Sequence, residues 1–262
     1  MSTKSPIKTK VTGKILEVRI DRPKANAIDL KTSRKMGEIF ADFRDNPKLL
    51  VAILTAEGEK FFCPGWDLKA AAGGDAVDGD YGIGGFGGLQ ELPQLNKPVI
   101  AAINGICCGG GLEIALSCDI ILATTHATFA LPEIRSGTIA DAASIKLPKR
   151  IPYHIAMELL LTGRSLDATE AHKWGFVNEI IEPNNLLNRS YELAELISSG
   201  PPLVISAIKQ VVRESEDKNF QDMLNRITKR QVETVDKLYG SKDLLEGQLA
   251  FTEKKKQIHY TL

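Results

Sequence analysis

Val99-Ile100-Ala101-Ala102-Ile103 is an unbroken apolar run, and it leads through Asn104-Gly105-Ile106-Cys107-Cys108 into Gly109-Gly110-Gly111 and the helix-forming Leu112-Glu113-Ile114-Ala115-Leu116. Such a run reads as a strand buried on both faces. Three consecutive glycines let the backbone approach another segment closely before it turns into a helix. The first turn of that helix offers N–H groups that no intrahelical carbonyl accepts, at the positive end of the helix dipole. Glu113 follows within a turn. Backbone donors beside an ionisable carboxylate can stabilise a developing oxyanion and move a proton. The same residues also suit a plain tight turn whose glutamate complements the dipole. Neither G-x-x-x-x-G-K-[ST] nor G-x-G-x-x-G is present, so the stretch is not a nucleotide loop.

The flanking sequence alternates short apolar runs with helical periods. Two strands fit 8–20 and end at Asp21-Arg22-Pro23; a helix fits 30–45, with Asp29 as N-cap and Met36, Ile39, Phe40 and Phe43 on its apolar face. Val51–Thr55 reads as a buried strand, and Phe61-Phe62-Cys63 leads into a turn over 64–69 that opens a short helix. Residues 71–90 are glycine-rich and aperiodic, which reads as a mobile linker or a lid over a pocket. Strands follow at 120–123 and 128–130, the second leading to Leu131-Pro132-Glu133 and another carboxylate. Helices are predicted near 141–149, 152–161 and 167–173, a last strand at 177–181, and then helices at 184–199, 201–215, 218–239 and 241–252. The chain therefore reads as an α/β core over 1–183 with a helical C-terminal region over 184–262.

Charge excludes several functions. Lys plus Arg equals Asp plus Glu at 33 each, so no global field favours nucleic acid or a membrane surface. Cys63, Cys107, Cys108 and Cys118 lack Cys-x-x-Cys spacing, and the four histidines are scattered, so neither a metal site nor a disulfide framework is expected. The N-terminus has no apolar leader segment and no run reaches membrane-spanning length, so a cytoplasmic location is the expectation.

Five stretches in order resemble the crotonase (enoyl-CoA hydratase/isomerase) superfamily: Arg22-Pro23-Lys24-Ala25-Asn26-Ala27, Phe62–Lys69, Pro98–Glu113, Phe129-Ala130-Leu131-Pro132-Glu133, and Trp174-Gly175-Phe176-Val177-Asn178. Arg22–Asp29 and Gly65–Ala72 look most like its carnitinyl-CoA dehydratase branch. The resemblance implies a crotonase-like spiral of ββα turns around two sheets, a helical C-terminal region, and homotrimers or dimers of trimers. It implies an acyl-CoA substrate whose coenzyme A is the only cofactor-like group. The implied activity is reversible addition or removal of water across the α,β double bond of an enoyl-CoA.

The resemblance assigns the oxyanion hole to the backbone N–H groups of Trp66 and Gly110, and catalysis to Glu113 and Glu133. Which glutamate is acid and which base stays open; two like charges in a dry site are expected to raise one pKa. Implied contacts to CoA or substrate fall on Lys24, Ala25, Ala27, Gly65, Trp66, Asp67, Leu68, Lys69, Gly109, Gly110, Phe251 and Lys254. One departure follows the second acid. Where the family has Gly-x-x-Pro-x-x-Gly-Gly, this chain has Gly137-Thr138-Ile139-Ala140-Asp141-Ala142-Ala143-Ser144, with alanine for proline and no glycine pair. Extra methyl groups are expected to narrow the acyl pocket, and Asp141 is either an N-cap or a polar group within it. Alternatives on the same fold are a Δ3–Δ2 enoyl-CoA isomerase, which needs one carboxylate, and a weakly active CoA-binding or RNA-binding relative.

Overall fold

The computed structural model describes residues 5–76, 79–242 and Leu244. The N-terminal hairpin β1 (Ile7–Thr12) and β2 (Ile15–Ile20) is followed by helix α1 (Leu30–Asp45). Three strand pairs come next, each closed by a helix: β3 (Val51–Ala56), β4 (Phe61–Cys63) and α2 (Leu68–Ala72); β5 (Val99–Ile103), β6 (Ile106–Cys108) and α3 (Gly110–Leu116); β7 (Ile120–Thr124), β8 (Thr128–Ala130) and α4 (Glu133–Ser136). In every pair the first strand joins one sheet and the second joins another. The large sheet has the order β1-β2-β3-β5-β7-β10, and the small one β4-β6-β8-β9. Strands β2, β3, β5, β7 and β10 run parallel, as do β4, β6 and β8. This is the expected ββα spiral.

Side-chain alternation explains why the central strands are apolar throughout. Val18, Ala52, Leu54, Ala101 and Ile103 face the main core with α1 and the small sheet, while Ile15, Val51, Ile53, Ile100 and Ala102 face a second core. Helix α8 (Leu186–Ser198) closes that second face through Leu186 and Ala194, so the helical region begins as part of the core's own wall. Between β8 and α8 lie α5 (Asp141–Lys146), α6 (Tyr153–Thr162), β9 (Leu166–Asp167), α7 (Ala168–Trp174) and β10 (Glu179–Ile181).

Most expected elements are present within a residue or two, and Asp29 caps α1 by accepting the Thr32 N–H at 2.7 Å. Three expectations change. β6 was not separable from the glycine turn. The predicted helix over 218–239 is two helices, α10 (Phe220–Thr228) and α11 (Glu233–Tyr239), which pack on α9 (Pro202–Ser215) around Ala207, Met223, Val232 and Val235. Between them Arg230 takes a positive φ of 57°. Within 71–90, residues 86–89 form a buried single turn against α1 and α3, rather than a loose linker. Most of the helix expected over 241–252, with Phe251 and Lys254, lies outside the described residues.

Candidate active site

The glycine turn is held against a second turn by contacts that exclude side chains. Gly109 has φ +55° and Gly65 φ +95°. A Cβ on Gly65 would lie 2.7 Å from the Gly110 nitrogen, and one on Gly111 would lie 2.1 Å from the Cys63 carbonyl oxygen. The turn before α2 and the start of α3 therefore touch through backbone. Among the described residues, nothing accepts the backbone N–H of Trp66 or of Gly110. Those are the two donors that the resemblance assigns to an oxyanion hole.

Arg22 fixes the turn from below. Its guanidinium pairs with Asp29 at 2.8 Å and Asp67 at 2.6 Å, and donates to the Ala27 carbonyl at 2.8 Å. Asp29 and Asp67 are the N-caps of α1 and α2, so one cation joins two helix starts. Ile28 completes the join: its N–H donates to Gly65 O, and its carbonyl accepts from Asp67 N–H, both at 2.9 Å. Lys24, Ala25 and Ala27 thus sit on a loop bound to the Gly65–Lys69 turn, with Lys24, Leu68 and Lys69 exposed. Asp67 spends its carboxylate on Arg22 and on the α2 cap.

Glu113, Glu133, Trp66 and Gly110 all line one cavity of about 340 Å³. Glu113, in the first turn of α3, is buried; its Oε1 accepts the Ala143 N–H at 2.9 Å and its Oε2 accepts from Gln90 Nε2 at 3.4 Å. Burial raises its pKa against those two donors. Glu133 opens α4, and its Oε2 is buried with no hydrogen-bond partner among the described residues. Burial pushes its pKa up to about 7. The Glu113 charge adds to that shift but ranks behind burial, so desolvation rather than like-charge repulsion is the principal cause.

Asp141 is no N-cap. Ala140 holds that position without a side-chain bond, and Asp141 stands on the cavity wall. Ala142 lines the cavity too, while Ala143 is buried and gives its N–H to Glu113. Sequence reasoning did not find Phe86, Gln90 or Lys146. The aromatic residues Tyr81 and Phe86, set among glycines without a period, were the available signal. The cysteines are small packing groups; burial pushes the Cys63 thiol up to about 12, far from a thiolate at neutral pH.

Residues 10–261 match the enoyl-CoA hydratase/isomerase family model. The chain is 48% identical over 244 residues to carnitinyl-CoA dehydratase of Proteus mirabilis (strain HI4320), covering 93% of this chain and 94% of that protein. It is 47% identical to carnitinyl-CoA dehydratase of Escherichia coli (strain K12), with the same coverage. Among solved structures, an enoyl-CoA hydratase from Mycobacterium tuberculosis H37Rv superposes with a TM-score of 0.88 at 36% identity, over 98% of this chain and 99% of that one. A carnitinyl-CoA hydratase from Mycobacterium avium gives 0.77 at 32% identity over the same shares.

Proposed function

Because the chain belongs to the enoyl-CoA hydratase/isomerase family, we propose that it is a hydro-lyase interconverting an enoyl-CoA and its 3-hydroxyacyl-CoA, of the carnitinyl-CoA dehydratase type. One observation carries the reading: a buried and a half-buried glutamate share a cavity with two backbone N–H groups that no described residue accepts. The Trp66 and Gly110 N–H groups receive the thioester oxygen as it becomes enolate-like. Glu113, with its carboxylate supported by Ala143 N–H and Gln90, is the base that takes a proton from water as the water oxygen bonds to Cβ. Glu133, whose buried Oε2 has no donor among the described residues, is the acid that gives its proton to Cα. Water is thereby added, and proton exchange resets the pair; dehydration follows the same path backwards.

Lys24, Ala25, Ala27, Leu68 and Lys69 form the rim along which coenzyme A lies, and the thioester reaches inward past Gly65 and Gly109. The acyl-CoA is substrate, and no separate cofactor enters the cycle. The setting is cytoplasmic; among the described residues no helix is long and apolar enough to cross a membrane. Two glutamates in one cavity favour hydration over the isomerase reading, for which one suffices.

A thioester panel tests this: crotonyl-, crotonobetainyl-, longer 2-enoyl- and 3-enoyl-CoA, followed by absorbance of the conjugated thioester. Hydration bleaches the 2-enoyl signal. Glu113→Gln and Glu133→Gln are each expected to lower kcat by at least about a hundredfold with thioester binding nearly intact, the usual scale for a general acid or base. Absorbance that only grows, and only from 3-enoyl-CoA, identifies an isomerase instead.

A further inference from the structure

Helix α3 carries both the Gly110 N–H and Glu113, yet it has only seven residues. Packing of its buried face is one restraint, and a second lies at its C-terminal end. Ser117 follows its last residue and donates from Oγ to the Glu113 carbonyl oxygen at 2.8 Å. A serine bonded to the carbonyl four residues back is common in helices and by itself indicates nothing. Here the same Oγ also accepts from Lys146 Nζ at 2.6 Å, and Lys146 belongs to α5. The hydroxyl has spent its only proton on the carbonyl, so its lone pairs need a donor, and the ammonium supplies one. Lys146 lines the cavity that Trp66, Tyr81 and Phe86 wall with aromatic rings. Burial lowers its pKa, and no ion pair among the described residues includes it. A methionine or leucine would fill that space without the cost of burying a cation.

The reason for a lysine follows from the other end of the same contact. Ala143, three residues before Lys146, gives its N–H to Glu113 Oε1 at 2.9 Å. Residues three apart share a helix face, so α5 holds α3 at two points, the carboxylate and Ser117. One point alone would let α5 pivot and carry the Ala143 N–H off the carboxylate. Ala142 and Ala143 stand where the family has its glycine pair, so this double contact lies in the stretch that departs from the pattern. We propose, on the lyase reading, that Lys146 is a positioning residue for the base: through Ser117 it locks α5 to α3 and so keeps the Ala143 N–H on Glu113. That amide favours the ionised carboxylate, the form that takes a proton from water. Other groups face Glu113 across the cavity: Glu133 from α4, Asp141 and Lys146 from α5, and Gln90 and Glu91 from the segment after the buried turn. Removing Lys146 therefore removes both a tether and a charge. Ser117 separates the two, because it has no charge.

The test uses the 2-enoyl-CoA that the wild type turns over best. Ser117→Ala cuts the tether and leaves the ammonium, Lys146→Met removes both, and Ser117→Thr keeps the hydroxyl. Ser117→Ala and Lys146→Met are each expected to lower kcat about tenfold with KM nearly unchanged, the mark of a slightly misplaced reacting group. In both, the acid limb of kcat/KM should move to higher pH, because Glu113 loses a donor to its charged form. Ser117→Thr should keep most of the wild-type rate. In the double variant the two losses should not multiply, since one link has been cut twice. Thermal melting followed by circular dichroism confirms folding; a merely structural role would lower Tm and leave the acid limb in place. A shift with Lys146→Met and none with Ser117→Ala overturns the proposal, since the lysine then acts as a charge and not a tether. So does a KM that rises with kcat unchanged, which makes Lys146 a substrate contact, or a full multiplication of the losses. Wild-type turnover with neither variant impaired removes the tether alone; no turnover of any 2-enoyl-CoA removes the lyase reading and the tether with it.

Discussion

Glu133 and Glu113 differ little in sequence context and much in surroundings. Each follows an apolar stretch and opens a helix, so motif and spacing reveal both as candidates without separating their roles. The separation comes from donors supplied by residues distant in sequence: Ala143 and Gln90 reach Glu113, and nothing described reaches Glu133 Oε2. With the Glu133 pKa near 7, one pH dependence is expected in both directions. Hydration needs the pair's single proton on Glu133, and dehydration needs it on Glu113. The overall reaction releases no proton, so kcat/KM should fall as pH rises through about 7 for both. A kcat/KM that stays flat across pH 7 would contradict the assignment. Stability follows the same group. A carboxyl whose pKa goes from 4.5 unfolded to about 7 folded binds more protons when folded, so its contribution is full below 4.5 and declines as pH rises to 7. Glu133→Gln, expected to lower kcat, should therefore raise Tm at about pH 8, with the gain disappearing toward pH 4.5.

Elements were legible in proportion to their length. Helix α1 carries enough turns to display its period and cap, and β3 and β5 are unbroken apolar runs. β6 has three residues, too few to show any period, and the break between α10 and α11 has no glycine or proline to mark it. The packed turn at 86–88 was hidden because glycine's role there is contact rather than looseness. Close contact also predicts a cost. Gly111→Ala would put a methyl 2.1 Å from the Cys63 carbonyl oxygen, which is backbone and cannot swing aside. Forced overpacking of this kind costs about 1–3 kcal/mol. A lower urea midpoint and a lower kcat are expected together, since moving α3 moves both Gly110 and Glu113. Gly58→Ala, with φ +86° and nothing within 4 Å, should cost only the backbone strain and leave kcat unchanged.

Assembly is the scale on which a single chain says least. Apolar side chains remain exposed along the helical region, including Ile208, Val212, Leu196 and Phe220, the last 80% exposed. Burial of such side chains between copies of the chain is what the expected trimer would provide. Sedimentation should give a trimer or a dimer of trimers; a monomer would remove the idea. The resemblance also places Phe251 and a neighbouring lysine against coenzyme A bound in the next subunit. Deleting 248–262 should then weaken CoA binding while the Glu113 cavity stays intact. Neutralising Lys254 and Lys255 should cost more affinity for CoA than for 3′-dephospho-CoA. Equal losses for the two ligands would mean that the lysines are a solvated basic end.

The aromatic wall has a spectroscopic consequence. The chain has two tryptophans. Trp66 stands in the cavity, whereas Trp174 is fixed by its indole N–H to Glu170 at 3.1 Å and lines no part of that cavity. Intrinsic emission is thus a site-reporting half added to a constant half. Trp174→Phe should leave a protein whose fluorescence is almost wholly a titration signal for the active site, readable without a label, even for acyl-CoAs that the enzyme binds and cannot turn over.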